Sequence, residues 1–537
     1  MRILRFTLLL FLIATKLLLN SGSATAQTWP KQYGDTLSSI FQSSLEDYDK
    51  GYLFVGNQYH YFLGGYAYGW LLKTDINGNQ LWAKSYGFPQ HMVNFQSVVS
   101  APGQGVILAG GTNKRNPSCS EPFIIKVNTC GEKEWCRIYD AQECNSFCMG
   151  IVSLTDGGYV ALFNNWKTGP TKIVWLLRLN SMGEIIWQQS YCTNPEYRDE
   201  VANSLVLTSD SNLVITGNTY YIDSLYPGFQ LLKIFHVKTA PDGTAIWDAP
   251  WGYNQGIISD AMNSIEGNSH SIYTPGRHGR DDGDSPCLFK TSGMGQSLYY
   301  HDILDSTSAG YASVTSSFSD GTLALVAQWK YPTSLDTTGI FKTDTLGNIL
   351  NRRIVTTESW CAFSSGFRTY NNRQVFSGTL NEKAVVMKVN ENLQWDSINT
   401  TPLTYDSLCP HAIATDTVHL DDCTVITAIY SPENDLEKTR LRIFPNPACE
   451  HMTIDLPRYL VRNFSTPAGK LQTIYHQWPS SELQILDLSG KTVYSEKVSQ
   501  DSPPITIFIR SWKAGIYLAR LVFMNEVTAS AKFMVVR

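Results

Sequence analysis

Residues 70–82 read WLLKTDINGNQLW: an apolar run, a lysine, a turn of Asp, Asn and Gly, and a tryptophan. The same order returns as FIIKVNTCGEKEW (123–135), WLLRLNSMGEIIW (175–187), FHVKTAPDGTAIW (235–247), CLFKTSGMGQSLY (287–299), IFKTDTLGNIL (340–350) and VVMKVNENLQW (385–395). The basic anchors are Lys73, Lys126, Arg178, Lys238, Lys290, Lys342 and Lys388, spaced by 53, 52, 60, 52, 52 and 46 residues. The late aromatic keeps step at Trp82, Trp135, Trp187, Trp247 and Tyr299, then passes to Leu350 and Trp395. Upstream of each anchor stands a turn and a short apolar run, such as DKGYLFVGN (49–57). Ahead of that stands another half-apolar run, such as FQSVVS (95–100).

Four short strands per unit, in seven units of about 50 residues, are the pattern of a β-propeller. Helical repeats would carry a 3.6-residue period, whereas these runs are short and bounded by Gly, Asp and Asn. The expected fold class is therefore all-β. In the first unit Gly78 is free to take positive φ, and Asp and Asn can bond their own backbone. The tryptophan is expected to plug the gap between neighbouring blades. Lys73 is expected to lay its stem on the sheet and keep its amine in water. Trp82, Trp135, Trp187, Trp247 and Trp395, with Gly78, Gly131, Gly183 and Gly243, are thus read as architecture rather than as a site.

TWPKQYG (28–34) matches LWAKSYG (81–87), a lone outer strand with no blade before it. In a ring it can complete the last blade and remove an open edge. Trp395 offers that blade an outer strand of its own, so seven blades are expected, with six or eight still open. The repeat resembles the seven-bladed propeller repeats of bacterial secreted proteins over about 370 residues. That resemblance implies a fold and says little of function.

The N-terminus pairs Arg2 and Arg5 with an apolar stretch from Phe6 to Leu19 and a small-residue cleavage site, Ala24-Thr25-Ala26. Residues 1–26 are read as a secretory signal peptide. The stretch is shorter than the roughly 20 residues that span a bilayer. No later segment is long and apolar enough to cross as a helix. Net charge is −5 with no Lys/Arg run, which leaves no electrostatic footprint for nucleic acid or an anionic membrane. All 11 cysteines follow residue 26. An oxidising compartment makes disulfides the expectation, with five cysteines crowded between Cys119 and Cys148 and Cys409 able to staple to Cys423. An odd count leaves a thiol over, and no C-x-x-C pair suggests zinc.

The propeller is assigned to residues 27–404, a polar connector to 405–439 and a further domain to 440–537. Short alternating strands in the last suit a small immunoglobulin-like β-sandwich. Its motifs are FPNPA (444–448), LQILDLSGKTV (483–493), AGIYLARL (514–521) and the terminal KFMVVR. These resemble, in family order, the C-terminal sorting domain of the type IX secretion system of Bacteroidetes. The carrying residues are Phe444, Pro445, Asn446, Pro447, Gly490, Lys491, Gly515 and Tyr517. A longer insertion at 457–481 and Cys449 depart from the pattern. The resemblance implies handling by the type IX machinery, passage through both membranes, and a secreted or outer-surface product.

Motifs for metalloprotease, serine hydrolase, P-loop or dinucleotide chemistry are absent from the sequence. The densest polar cluster is GRHGRDDGDSP (276–286), with Arg277, His278, Arg280, Asp281, Asp282 and Asp284. Its carboxylates are compatible with Ca²⁺, but the spacing is not that of an EF-hand, and a solvated loop is the preferred reading. No cofactor is expected. The expected function is a non-catalytic module binding a glycan or a protein, with Tyr59, His60, Tyr61 and Phe62 as sugar-stacking candidates or simply a strand. The alternative is a polysaccharide hydrolase or lyase whose carboxylates come from different blades.

Overall fold

A computed structural model of the chain describes residues 29–536 apart from 35–37, 61–65, 141–145, 166–172, 192–199, 223–229, 251–258, 281–282, 305–308, 331–336, 358–360, 427–440, 445, 447, 449, 457–459, 466–470, 477–480, 500–501, 503 and 524–525. The signal peptide lies outside the described residues. The chain forms two compact units, Met1–Ile429 and Tyr430–Arg537.

The first unit is a seven-bladed β-propeller. Blades 1 to 6 span residues 38–87, 93–139, 147–191, 200–250, 259–302 and 309–356, each a sheet whose four strands follow chain order outward. Blade 5 departs slightly, because its inner strand is split into Ser259–Ala261 and Ile265–Glu266. Blade 7 takes three strands from 361–389 and its outer strand from the N-terminus: Lys31 lies opposite Val386 and Tyr33 opposite Ala384. Blade 7 then meets blade 1, where Ser44 N–H donates to Ser365 Oγ at 3.1 Å and Ser39 N–H to the Glu382 carbonyl at 2.9 Å.

One joint repeats around the ring. A Cβ on Gly78, whose φ is +73°, would fall 2.5 Å from the Trp29 ring, so only glycine lets the plug of blade 7 lie on the turn of blade 1. Trp82 lies in the same way on Gly131, Trp135 on Gly183, Trp187 on Gly243 and Trp247 on Gly295. Four residues after the first four of these plugs a tyrosine hydroxyl bonds the same turn. Tyr33 donates to the Gly78 carbonyl, Tyr86 to Gly131, Tyr139 to Gly183 and Tyr191 to Gly243. The W-x-x-x-Y spacing thus makes one two-point clasp onto the next blade. Changing Tyr139 to Phe removes a buried 2.8 Å bond and orphans a carbonyl. The expected cost is about 1–2 kcal/mol, read by denaturant unfolding.

The late-aromatic assignment needs two corrections. Trp29, not Trp395, fills the plug position of blade 7; Trp395 makes only an isolated bridge to Val389 and carries the Arg353 guanidinium 4.0 Å over its ring. In blade 6 the residue opposite Lys342 is Asn351, and Leu350 is an exposed bulge residue.

The expectation for Lys73 is also overturned. Lys73 is fully buried and forms ion pairs with Asp47 and with Asp49, the latter at 2.8 Å, in the turn of its own blade. Arg178 meets Asp156 at 2.5 Å, and Lys238 meets Asp210 at 2.7 Å. These anchors sit on central strands with sheet on both sides, so the stem cannot reach water. The carboxylate comes to the amine instead. Burial alone would push the Lys73 ammonium down, but Asp47 and Asp49 reverse this and hold it above its usual range. Burial opposes the shift of Asp210 too, yet hydrogen bonds from Lys238, Thr208 and Asn212 keep its carboxyl well below normal.

Asparagines in the second halves of second strands clamp the next blade's inner strand. Asn57 Oδ1 accepts from Phe95 N–H at 2.8 Å, and Asn164 bonds both the N–H and the carbonyl of Ala202. Between blades 4 and 5, His236 Nε2 meets Thr274 Oγ1 at 2.9 Å. Burial pushes the His236 imidazole down to about 3. An unfolded histidine binds a proton near pH 6.5 while this one stays neutral. Stability is therefore expected to be full above that pH and to fall as the medium is acidified toward pH 3. Changing His236 to Gln should flatten that part of the stability–pH curve.

The second unit holds a three-stranded sheet (442–444, 451–455, 505–508) and a four-stranded sheet (481–487, 492–498, 515–523, 526–535). Met452, Ile454, Leu483, Ile485, Leu521 and Phe533 fill a shared core, the sandwich expected from the sequence. The insertion forms its own hairpin, Leu460–Ser465 with Leu471–His476.

Candidate functional site

The segment read as a polar connector is built onto the propeller through residue 426. Asn399 and Asn77 exchange two hydrogen bonds, of 2.7 and 3.0 Å, at the turn of blade 1. The Tyr405 hydroxyl accepts from Ile76 N–H at 3.0 Å. Asp406 accepts from the Trp82 indole at 3.1 Å and stands 4.0 Å from Lys73, making a third carboxylate about that amine. Burial raises the Asp406 carboxyl above its ordinary value, with Lys73 opposing.

Residues 416–419 then add as a parallel fifth strand to the outer edge of blade 1, and 424–426 do the same on blade 2. Asp416 meets Lys84 at 2.6 Å, and Asp422 pairs with Lys133. Val418 and Leu420 close the apolar space between the two blades. Two disulfides fix this strap to blade 2: Cys130–Cys409 and Cys136–Cys423. The expected staple between Cys409 and Cys423 is thus replaced by two bridges reaching across 279 and 287 residues. Neighbours in sequence did not pair, because each cysteine of the strap faces a cysteine of blade 2. Cys119 is also disulfide-bonded. Cys148 and Cys361 are buried thiols; burial pushes Cys148 well up and Cys361 to about 12, so both stay protonated and inert at neutral pH.

The strap crosses the seam where the ring closes. The N-terminal strand reaches back to complete blade 7, and the strap reaches forward from blade 7 over blades 1 and 2. Sequence reasoning missed it because its two strands are three and four residues long and polar on one side. The available signal was the pair Cys409 and Cys423, set in a short segment far downstream of the crowd at Cys119–Cys148.

The polar cluster at 276–286 divides. Arg277 pairs with Asp284 at 2.8 Å and His278 with Asp302 at 3.2 Å, while Asp281 and Asp282 lie outside the described residues. Tyr59 is paired opposite Ser38 and His60 opposite Tyr66, both in an ordinary second strand. Tyr61 and Phe62 lie outside the described residues.

In the second unit the first and last motifs meet. Asn446 Oδ1 accepts from Met534 N–H at 2.9 Å, and Ala448 bonds Met534 and Val536 through its backbone. Phe444 stands opposite Thr453; Pro445 and Pro447 lie outside the described residues. Gly490 turns the middle motif at φ +80°, held by Asp487, which accepts from Ser489 N–H and Lys491 N–H. The Tyr517 hydroxyl donates to the Lys513 carbonyl at 2.8 Å, and Gly515 opens the same strand opposite Val535. Asn446 and Ala448 are therefore joined to Met534, Val535 and Val536, more than 80 residues further along the chain.

Residues 442–536 match the family model described as a secretion system C-terminal sorting domain. No curated protein matches the chain. Among solved structures, one similar chain is a Dyadobacter fermentans protein of unknown function, at 12% identity over 54% of this chain and 92% of that one, TM-score 0.40. Another is an ulvan lyase, at 7% identity over 67% and 96%, TM-score 0.46. A third is the β-propeller domain of the trilobed protease of Pyrococcus furiosus, at 10% identity over 68% and 99%, TM-score 0.40. Likenesses this distant carry no argument about activity. A sorting domain of the type IX kind implies secretion and cell-surface attachment, and no helix among the described residues is long and apolar enough to cross a membrane. The chain thus carries a secretion system C-terminal sorting domain behind a seven-bladed β-propeller.

Proposed function

We propose that the protein is a secreted or surface-displayed recognition module, with the propeller binding a glycan or a protein and the sorting domain serving only its export. Residues 1–26 are its signal peptide, the propeller with its strap is the passenger, and the edge made by Asn446 and the terminal strand is part of the surface the secretion machinery reads. The single observation that carries the export half is the match at residues 442–536. The binding half is supported by the use of the carboxylates: Asp47, Asp49, Asp156, Asp210 and Asp396 each hold a cation of a blade. That is the work of a rigid scaffold.

Two experiments test the reading. Deleting residues 441–537 should leave the passenger inside the outer membrane, as read by cell fractionation; unchanged surface display would refute the export half. Screening the purified, oxidised chain on glycan and peptide arrays, with Ca²⁺ and with chelator, should give saturable binding without product. Turnover of any glycan would replace the binding half by the enzymatic alternative.

A further inference from the structure

Blades 1 and 2 differ from blades 3 to 6 along the rim. In blade 1 the residue before the turn glycine, Asn77, is held by Asn399; in blade 2 the same position is Cys130, bonded to Cys409. In blades 3, 5 and 6 that position carries Met182, Met294 and Leu346, each at least half exposed. Four residues on, the bulge residue of the outer strand is exposed and apolar as well: Ile186, Ile246, Leu298 and Leu350 in blades 3 to 6. The strap engages the turn position in blades 1 and 2 and leaves the blade 1 bulge residue, Leu81, the least exposed of the apolar set; beyond the strap the bulge residues stand further into water.

The sheet edges follow the same division. The outer strands of blades 1 and 2 each take a parallel fifth strand, while those of blades 3 to 6 end their sheets among the described residues. The outer strand of blade 6, Ile349–Thr356, is the most open: five of its eight residues are exposed, including Ile349, Leu350, Arg352 and Ile354. Open edges of this length are normally shortened, charged or covered, and Arg352 supplies a single exposed charge among apolar neighbours. Here no proline interrupts the strand, and Arg353 is drawn aside onto Trp395.

We propose that the outer edge of blade 6 is a docking site for an extended, acidic and apolar polypeptide segment, which adds to the sheet as a parallel fifth strand. The inference rests on the recognition reading above and names the partner class. The chain supplies the template twice. Its strap, DTVHLDDCTVI (416–426), pairs in parallel with two outer strands, gives Asp416 to Lys84 and Asp422 to Lys133, and buries Val418 and Leu420. A segment of the same chemistry on blade 6 would satisfy the open ladder with its backbone, meet Arg352 with a carboxylate, and cover Ile349, Leu350 and Ile354 with alternate apolar side chains. The exposed turn residue Leu346 extends that surface at the start of the strand.

The probe is a fluorescein-labelled peptide of residues 414–426 with Cys423→Ser, titrated by anisotropy against the full oxidised chain, whose own strap already fills blades 1 and 2. Saturable binding is expected, together with new amide-exchange protection in residues 349–354. Leu350→Glu combined with Ile354→Glu should weaken it at least tenfold, roughly 1.4 kcal/mol. Leu518→Glu, on the sandwich, should leave it unchanged. Both changes lie at exposed positions, and unchanged near-UV circular dichroism would verify folding. Absent binding, or binding indifferent to the blade 6 substitutions, overturns the proposal. A glycan bound in its place on the array would also overturn it while leaving the recognition reading intact, and silence toward both would sink the two together. Concentration-dependent dimerisation lost in the double variant would assign the edge to a second copy instead.

Discussion

Serine at Cys130 and Cys409 is expected to lower the unfolding free energy by about 3 kcal/mol, and serine at all four strap cysteines by roughly 8 kcal/mol. The asymmetry comes from loop lengths. The two bridges span 279 and 287 residues, so the last one standing closes a loop that takes in blades 3 to 7. When both are present, six residues separate their ends on blade 2 and fourteen on the strap, and the second bridge closes a ring of only about 20 residues. In a chain-entropy account that small ring is worth about 3 kcal/mol, and the large one about 5–6. Either single removal should therefore cost about the same, and the double removal more than twice as much. Guanidinium unfolding of the three variants at fixed pH gives the comparison. Equal increments for the first and second removal would show that the reduced strap stays docked through its ion pairs and strands.

Changing Lys73 to Met should cost about 3–5 kcal/mol, because it leaves the Asp47 and Asp49 carboxylates facing each other without a counter-charge. Adding Asp47→Asn and Asp49→Asn to the Lys73→Met variant should recover most of that loss. The triple variant separates the worth of the cluster from the penalty of breaking it. The deficit of the single variant should shrink on acidification. A carboxyl stranded by loss of its cation has a raised folded pKa, binds its proton before the unfolded chain does, and regains stability as pH falls. A loss under about 1 kcal/mol, with no recovery in the triple variant, would mean that water reaches the carboxylates and solvates them once the amine is gone.

The repeat was legible because its determinants are local. Hairpin turns at Gly78, Gly131, Gly183 and Gly243 declare themselves within a dozen residues, and the period follows from counting. The N-terminal match of 28–34 to 81–87 was legible for the same reason and gave the closing strand. What sequence alone obscured are the partners across strands and blades. The Lys73, Arg178 and Lys238 ion pairs join residues 22–28 positions apart, and their signal was an Asp in the turn upstream that looked like ordinary turn chemistry. Trp395 follows Lys388 by seven residues, where the other plugs follow their anchors by nine, and it passed for a plug although Trp29 held the place from the opposite terminus. In the sorting domain each motif could be recognised alone, but only the fold shows that Asn446 and Met534 are neighbours.

The strap also decides where tension enters the propeller. Suppose that the sorting domain, or whatever holds it to the cell surface, is pulled while the ring is held by a ligand. Force travelling inward from beyond Ile426 meets the Cys136–Cys423 bridge first and passes into the outer strand of blade 2. Blade 7, whose outer strand is a three-residue segment held by backbone hydrogen bonds, is bypassed. Under load the covalent path runs into blade 2, and the three-residue closing ladder of blade 7 never carries the weight.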